Sequence, residues 1–235
     1  MGAEMIAAQD WDCVLIDCQH GLIGYADMVA MVMAVQGQGK PALVRPPLND
    51  EGFIGKALDA GADAIMCPMI NSADDALWLA KAGNYPPVGA RSWGPVRAQA
   101  RFGLDKQAYH AAGNDLTEIW AMVETAHGLD DIDSLFATPG IDGVFIGPND
   151  LSNSLTGGAH VDPGHPLVRD ALARVLEKAQ SHNSFAGIYA NNVELARDFA
   201  AQGFRFIAMG SDAGFLKAGS AEMLNAAKAA KAAKG

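Results

Sequence analysis

Residues 57–68, ALDAGADAIMCP, carry a helix end, a glycine and a strand in direct succession. Apolar residues at helical spacing stop at Gly61, and glycine just past a helix is the usual left-handed cap. A short apolar run, residues 64–68, follows and ends on Pro68. Residues 199–210, FAAQGFRFIAMG, repeat the pattern with Gly203 in the place of Gly61. The likeness is one of pattern, too degenerate for a sequence repeat. A helix that stops on glycine and feeds a strand is half of a β–α unit.

The same rhythm extends in both directions. Apolar runs occupy 13–17, 41–45, 64–68, 118–124, 142–147, 185–190 and 205–210. They are nearly continuous, as strands of a parallel sheet covered on both faces are. Helical periodicity fills 25–36, 50–60, 72–83, 128–137, 166–182 and 192–202. Asn71-Ser72 before Asp74 and Asp75, and Asn191-Asn192 before Glu194, supply N-caps with acids in the first turn. The alternation predicts an α/β fold, a TIM (β/α)8-type barrel, as a single domain over 1–235. Seven runs are visible where such a barrel has eight. Residues 1–10, MGAEMIAAQD, read as the end of a helix whose preceding strand is lacking or displaced.

Two segments depart from the rhythm. Residues 84–117 are rich in proline, glycine, arginine and aromatics, and 151–165 form a polar Gly/Pro stretch. Long irregular segments inside a compact domain are usually functional, and both are expected at the active end of the sheet. The Ala/Lys-rich tail, 221–235, is expected to begin helical and then fray.

Bulk properties narrow the function. At 235 residues, with 50% apolar and 19% charged residues, the chain is globular with a sizeable core. A net charge of −10 argues against nucleic acid or an anionic membrane as partner. No apolar run reaches the ~20 residues of a membrane helix. Neither a leader nor a disulfide pattern is visible, and Cys13, Cys18 and Cys67 fit no zinc spacing, so a cytoplasmic protein with reduced thiols is expected.

Charged residues at the ends of apolar runs carry the chemistry. His20 and Asp17 close the first run, Arg45 the second, Glu124 the fourth, and Asp150 lies just past the fifth. Such residues are costly in a core and are expected where parallel strands open onto a pocket. Glu124 and Asp150 offer hard oxygen ligands suited to Mg²⁺ or Mn²⁺, with Co²⁺ or Zn²⁺ as alternatives. The plainer alternative is that both cap loops or helices. Asp17, three residues before His20, can hold one ring nitrogen and leave the other as a base. Arg45, stiffened by Pro46-Pro47, can donate two hydrogen bonds to a developing enolate oxygen or simply pair with an acid. In Gly147-Pro148-Asn149-Asp150 the N–H groups of Asn149 and Asp150 can face a substrate carboxylate, while Pro148 shapes the turn. His110, His127, His160, His165 and His182 read as solvated histidines.

The motifs WDCVLIDCQHG, LVRPP, ALDAGADAIMCPM, YPPVGARSWGP, AMVETAHGLDDID, GVFIGPNDLS and GSDAGFL occur in order over residues 11–216. Together they resemble the HpcH/HpaI aldolases, metal-dependent class II pyruvate aldolases. The resemblance implies reversible cleavage of a 4-hydroxy-2-oxo acid to pyruvate, or a close 2-oxo acid such as hydroxypyruvate, and an aldehyde. It assigns a divalent metal to Glu124 and Asp150, chelated also by the 2-oxo acid, and acid–base work to His20, with Asp17 orienting it. It implies no organic cofactor. Gln19 stands where many relatives have glutamate, and Met122 where many have glutamine. Asp59 matches a position that reaches a neighbouring subunit's site, and Trp93, Arg91 and Arg97 lie in the segment after YPP. A homo-oligomer is implied, a hexamer built as a trimer of dimers. Two other readings remain: a citrate-lyase-β-like CoA-ester lyase, and a non-catalytic barrel that binds small molecules.

Overall fold

The computed structural model describes residues 1–232. Strands β1 (Val14–Asp17), β2 (Ala42–Arg45), β3 (Ala64–Cys67), β4 (Glu118–Val123), β5 (Gly143–Ile146), β6 (Phe185–Ala190) and β7 (Phe206–Met209) form one parallel sheet in sequence order. The helices are α1 (Gly2–Ala7), α2 (Tyr25–Gly37), α3 (Glu51–Asp59), α4 (Ala73–Gly83), α5 (Val96–Phe102), α6 (Lys106–Ala112), α7 (Ala126–Asp130), α8 (Ile132–Ala137), α9 (Pro148–Leu155), α10 (Pro166–Ser181), α11 (Val193–Gln202) and α12 (Asp212–Ala232). This is a nearly closed, barrel-like α/β fold. Among the described residues no strand precedes α1 and none joins β7 to β1, as the count of seven apolar runs anticipates.

The caps match their sequence signals. Ser72 accepts from the N–H of Asp75, and Asn192 from that of Leu195. Gly61 and Gly203 adopt φ of 88° and 111°, the left-handed region that lets each helix turn at once into a strand.

The strands alternate strictly. Ile16, Ala42, Val44, Ile65, Ile119, Ala121, Val144 and Ile188 face the helices. Leu15, Leu43, Met66, Trp120, Met122, Phe145, Tyr189 and Phe206 face inward and form a separate apolar cluster. Phe185 and Phe206 meet the Trp120 ring edge-on at 5.0 and 4.7 Å, and the Trp120 indole N–H donates to Glu118. The barrel is thus plugged from below. Each fully buried inward side chain, Met66 among them, stabilises the fold by roughly 1.5–3 kcal/mol.

Three expectations need correction. Residues 84–117 are not a long loop at the active end. They contain α5 and α6 and join α4 to β4. A helix returns the chain to the N-terminal edge of the sheet, so every helix-to-strand connection lies there, opposite the strand C-termini. Within 151–165, the first residues continue α9 to Leu155. The helix expected at 128–137 is two, α7 and α8, which meet at Asp131. The tail belongs to one helix from Asp212 to Ala232, and residues 233–235 lie outside the described residues. No helix among the described residues is long and apolar enough to cross a membrane.

Candidate active site

Inward alternation ends each strand on a polar or small residue. Leu15 is followed two positions on by Asp17, Leu43 by Arg45, Met122 by Glu124 and Phe145 by Gly147. Asp17, Arg45, Glu124 and Gly147 therefore share the inner face at the C-terminal mouth of the barrel, above the apolar plug.

Asp17 and Arg45 are register partners on neighbouring strands. Arg45 Nε donates to Asp17 Oδ1 at 2.8 Å and Nη2 to Oδ2 at 2.6 Å, a two-point fork. The same Oδ1 accepts the N–H groups of Gln19 (3.0 Å) and His20 (3.2 Å). Burial works against this carboxylate, but the guanidinium and the two N–H groups outweigh it and hold its pKa below the ordinary value. Asp17 thus corrects one expectation. It holds Arg45 and the backbone of the Asp17–His20 turn, not the imidazole ring. A cross-strand partner at ideal fork geometry outcompetes a ring three residues away. His20 itself is exposed. The turn is tight: a Cβ on Gly21 would lie 2.0 Å from the Asp17 carbonyl oxygen. Gln19 is half-buried and its Oε1 has no partner among the described residues.

Glu124 is 3% exposed. Its Oε2 accepts the Met69 N–H at 2.9 Å, and Met69 adopts a left-handed φ of 58° to present it. A non-glycine residue there carries local strain, which is frequent at functional sites. A Cβ on Gly147 would stand 2.7 Å from Glu124 Oε1, so only glycine fits below that oxygen. Burial pushes the Glu124 pKa up, and the Met69 N–H pulls it back. The Asp150 carboxylate raises it further, while Arg45 and His20 oppose.

Asp150 is exposed, in the first turn of α9, whose N-cap is Gly147 and first residue Pro148. The N–H groups of Asn149 and Asp150 fall in the turn that has no intrahelical acceptor. The Asn149 and Asn191 side chains exchange amide hydrogen bonds of 3.0 and 3.3 Å, tying this turn to the end of β6. Ser154 Oγ accepts the Ala126 N–H, which fixes α9 against the segment that follows Glu124. Met69, Asn191 and Ser154 were not among the sequence candidates. A backbone N–H has no sequence signature, and the two side chains act through partners distant in sequence.

Asp59, Trp93 and Arg97 lie at the other end of the sheet. Asp59 accepts from Arg91 at 2.6 Å. Trp93 packs against Tyr85, Tyr109 and His110. Arg97 donates to Gln36 and to the carbonyl of Ala60 beside Gly61. Within one chain none of the three lines the mouth. The thiols are poor nucleophiles or ligands: burial pushes Cys18 to about 11 and Cys67 to about 12.

Known proteins match this chain over most of its length. A family model described as HpcH/HpaI aldolase/citrate lyase matches residues 2–218. The hydroxypyruvate/pyruvate aldolase of Rhizorhabdus wittichii is 37% identical over 227 residues, covering 97% of this chain and 89% of that protein. The 4-hydroxy-2-oxovalerate aldolase of Novosphingobium aromaticivorans is 37% identical over 213 residues, 89% of this chain and 79% of its own length. The crystal structure of an HpcH/HpaI aldolase/citrate lyase family protein from Burkholderia cenocepacia J2315 superposes with a TM-score of 0.85 at 30% identity. That match covers 96% of this chain and 89% of the other.

Proposed function

We propose a reaction for this protein on the ground that the chain belongs to the HpcH/HpaI aldolase/citrate lyase family. It is a divalent-metal-dependent aldolase that reversibly cleaves a 4-hydroxy-2-oxo acid into pyruvate, or a close 2-oxo acid such as hydroxypyruvate, and an aldehyde. The observation that carries this reading is Glu124: a buried carboxylate beside Asp150, with one N–H donor of its own, facing an arginine already fixed by another acid.

Two adjacent carboxylates, one of them buried, repel each other and call for a cation between them. Glu124 and Asp150 fit Mg²⁺ or Mn²⁺ as hard oxygen ligands. Among the described residues no group of three or more His, Cys, Asp or Glu side chains is placed to hold a metal, so substrate and water would complete the coordination. When bound, such a cation supplies the charge that makes a pyruvate enolate accessible without a Schiff-base lysine.

The chain's own groups do the rest. The free N–H groups of Asn149 and Asp150 receive the substrate carboxylate. Arg45 has its Nε edge committed to Asp17, so Nη1 is the donor left for the enolate oxygen. His20, acting directly or through water, takes the proton from the C4 hydroxyl. The C3–C4 bond then breaks, its electron pair passes into the enolate, and a proton returned to C3 yields pyruvate. The chain acts as a homo-oligomer.

Pyruvate release from a 4-hydroxy-2-oxo acid, assayed with and without EDTA, tests the reading. Release is expected with Mg²⁺ or Mn²⁺ and lost in chelator. Full activity in EDTA, or borohydride trapping of a lysine adduct, would contradict it.

A further inference from the structure

The mouth of the barrel has one sector that this mechanism leaves unfilled. Arg45, Glu124 and the Asn149–Asp150 turn surround the 2-oxo acid from β2 round to β5. His20 follows β1. An aldehyde held within reach of His20 therefore occupies the remaining arc, bounded by β6, β7 and β1. The inward residues of β6 form a ladder in that arc. Phe185 joins the plug, and at Gly187 a Cβ would come within 2.9 Å of the Phe145 ring, so the barrel is shut at this level. The next inward residue, Tyr189, is half-buried and packs on the inner cluster above the plug. The pairing of Ile146 with Ile188 sets Tyr189 beside Gly147, and its own partner on β7 is the small Ala208.

The side-chain hydrogen bonds at this end include those between Arg45 and Asp17, Asn149 and Asn191, and Met69 and Glu124. None engages the Tyr189 hydroxyl among the described residues. Of the other side chains on the strands that bound this arc, Leu15, Phe206 and Ala208 are apolar, while Asp17 is engaged by Arg45 and Asn191, just past β6, by Asn149. We propose that Tyr189 is the acceptor-specificity residue and that its phenol selects aldehydes bearing a hydroxyl group over unsubstituted ones. A site that offers a hydroxyl partner discriminates against an isostere lacking it, because the phenol is then left unpaired. This inference rests on the aldolase reading above.

The test compares glycolaldehyde with propanal, an isosteric pair, as acceptors for pyruvate in wild type and Tyr189→Phe. Wild type is expected to favour glycolaldehyde by about tenfold in kcat/KM, the scale of one hydrogen bond. In Tyr189→Phe the ratio should fall to near unity. Deuterium exchange at the pyruvate methyl, run without aldehyde, should be equal in both proteins and shows that the variant is folded and its 2-oxo acid site intact. An unchanged ratio in the variant, or a wild-type preference for propanal, overturns the proposal while the aldolase reading stands. Absence of exchange in metal-loaded wild type overturns the aldolase reading and this inference with it.

Discussion

Arg45 and Arg91 each hold an aspartate at 2.6 Å, at opposite ends of one barrel. The distances are the same and the surroundings are not. The Arg91 side chain is 2% exposed, lies over the Tyr85 ring at 4.5 Å, and leaves its Nε without a partner inside packed aromatics. That pair locks the α4–β4 connection onto α3. The Arg45 side chain is 18% exposed and spends its Nε edge on Asp17, which leaves Nη1 without a partner among the described residues. An ion pair by itself does not mark a site. The donor left over, and what faces it, does.

The contrast can be broken at several points. Glu124→Gln is expected to have the largest effect on catalysis. It should lower kcat/KM by well over about 100-fold, beyond what loss of an outer metal partner produces. Its thermal midpoint in chelator should hold or rise, because a buried charge has been removed. A fall in both would make Glu124 a structural residue.

Arg45→Lys keeps the charge and loses the fork. Turnover should fall about 10²–10³-fold, the range for one lost donor to a developing oxyanion, with little change in thermal midpoint. Arg91→Ala should show the opposite balance, a loss of about 1–3 kcal/mol in denaturant unfolding, since the Asp59 it abandons is partly exposed. If the two substitutions gave the same balance of effects, the distinction between the pairs would fail.

Gly147→Ala tests the fit around Glu124 by steady-state kinetics. A methyl 2.7 Å from Oε1 must displace the carboxylate, and activity should drop about 10- to 100-fold with about 1–3 kcal/mol of stability. Unaltered kinetics would show that Glu124 can move without consequence.

The smallest effect concerns pH. Asp17 has a lowered pKa in the folded chain, so its ion pair stabilises the protein above the ordinary aspartate value of about 3.9 and ceases to do so as pH falls through the lowered one. Wild type should exceed Asp17→Asn by about 1 kcal/mol in urea unfolding near neutrality, and the two should converge in strong acid. A difference that grew as pH fell would reverse the sign of the argument.

Much of this was legible in the sequence. Parallel strands buried on both faces leave continuous apolar runs, so 41–45 and 185–190 read directly as β2 and β6, with ends good to a residue. The strand-end polar residues also stood out, because an arginine after Ala42-Leu43-Val44 has no place in a core. Alternation within a run, Leu43 then Arg45, would have added that they point inward. Cross-strand register was not legible, and so Asp17 read as a partner for His20 when its fork goes to Arg45. The place of residues 84–117 was misread from composition, although a segment between a helix and a strand must lie at the N-terminal edge. Met69 gave no signal at all, since what it contributes is an N–H held by its backbone conformation.

Proton exchange at the pyruvate methyl in deuterium oxide measures enolate formation at this mouth with no aldehyde present. Wild type with Mg²⁺ or Mn²⁺ should exchange the methyl protons, EDTA should stop it, added metal should restore it, and Glu124→Gln should remain inactive throughout. Exchange that persists in chelator, or in Glu124→Gln, would contradict the metal-held enolate on which the account depends.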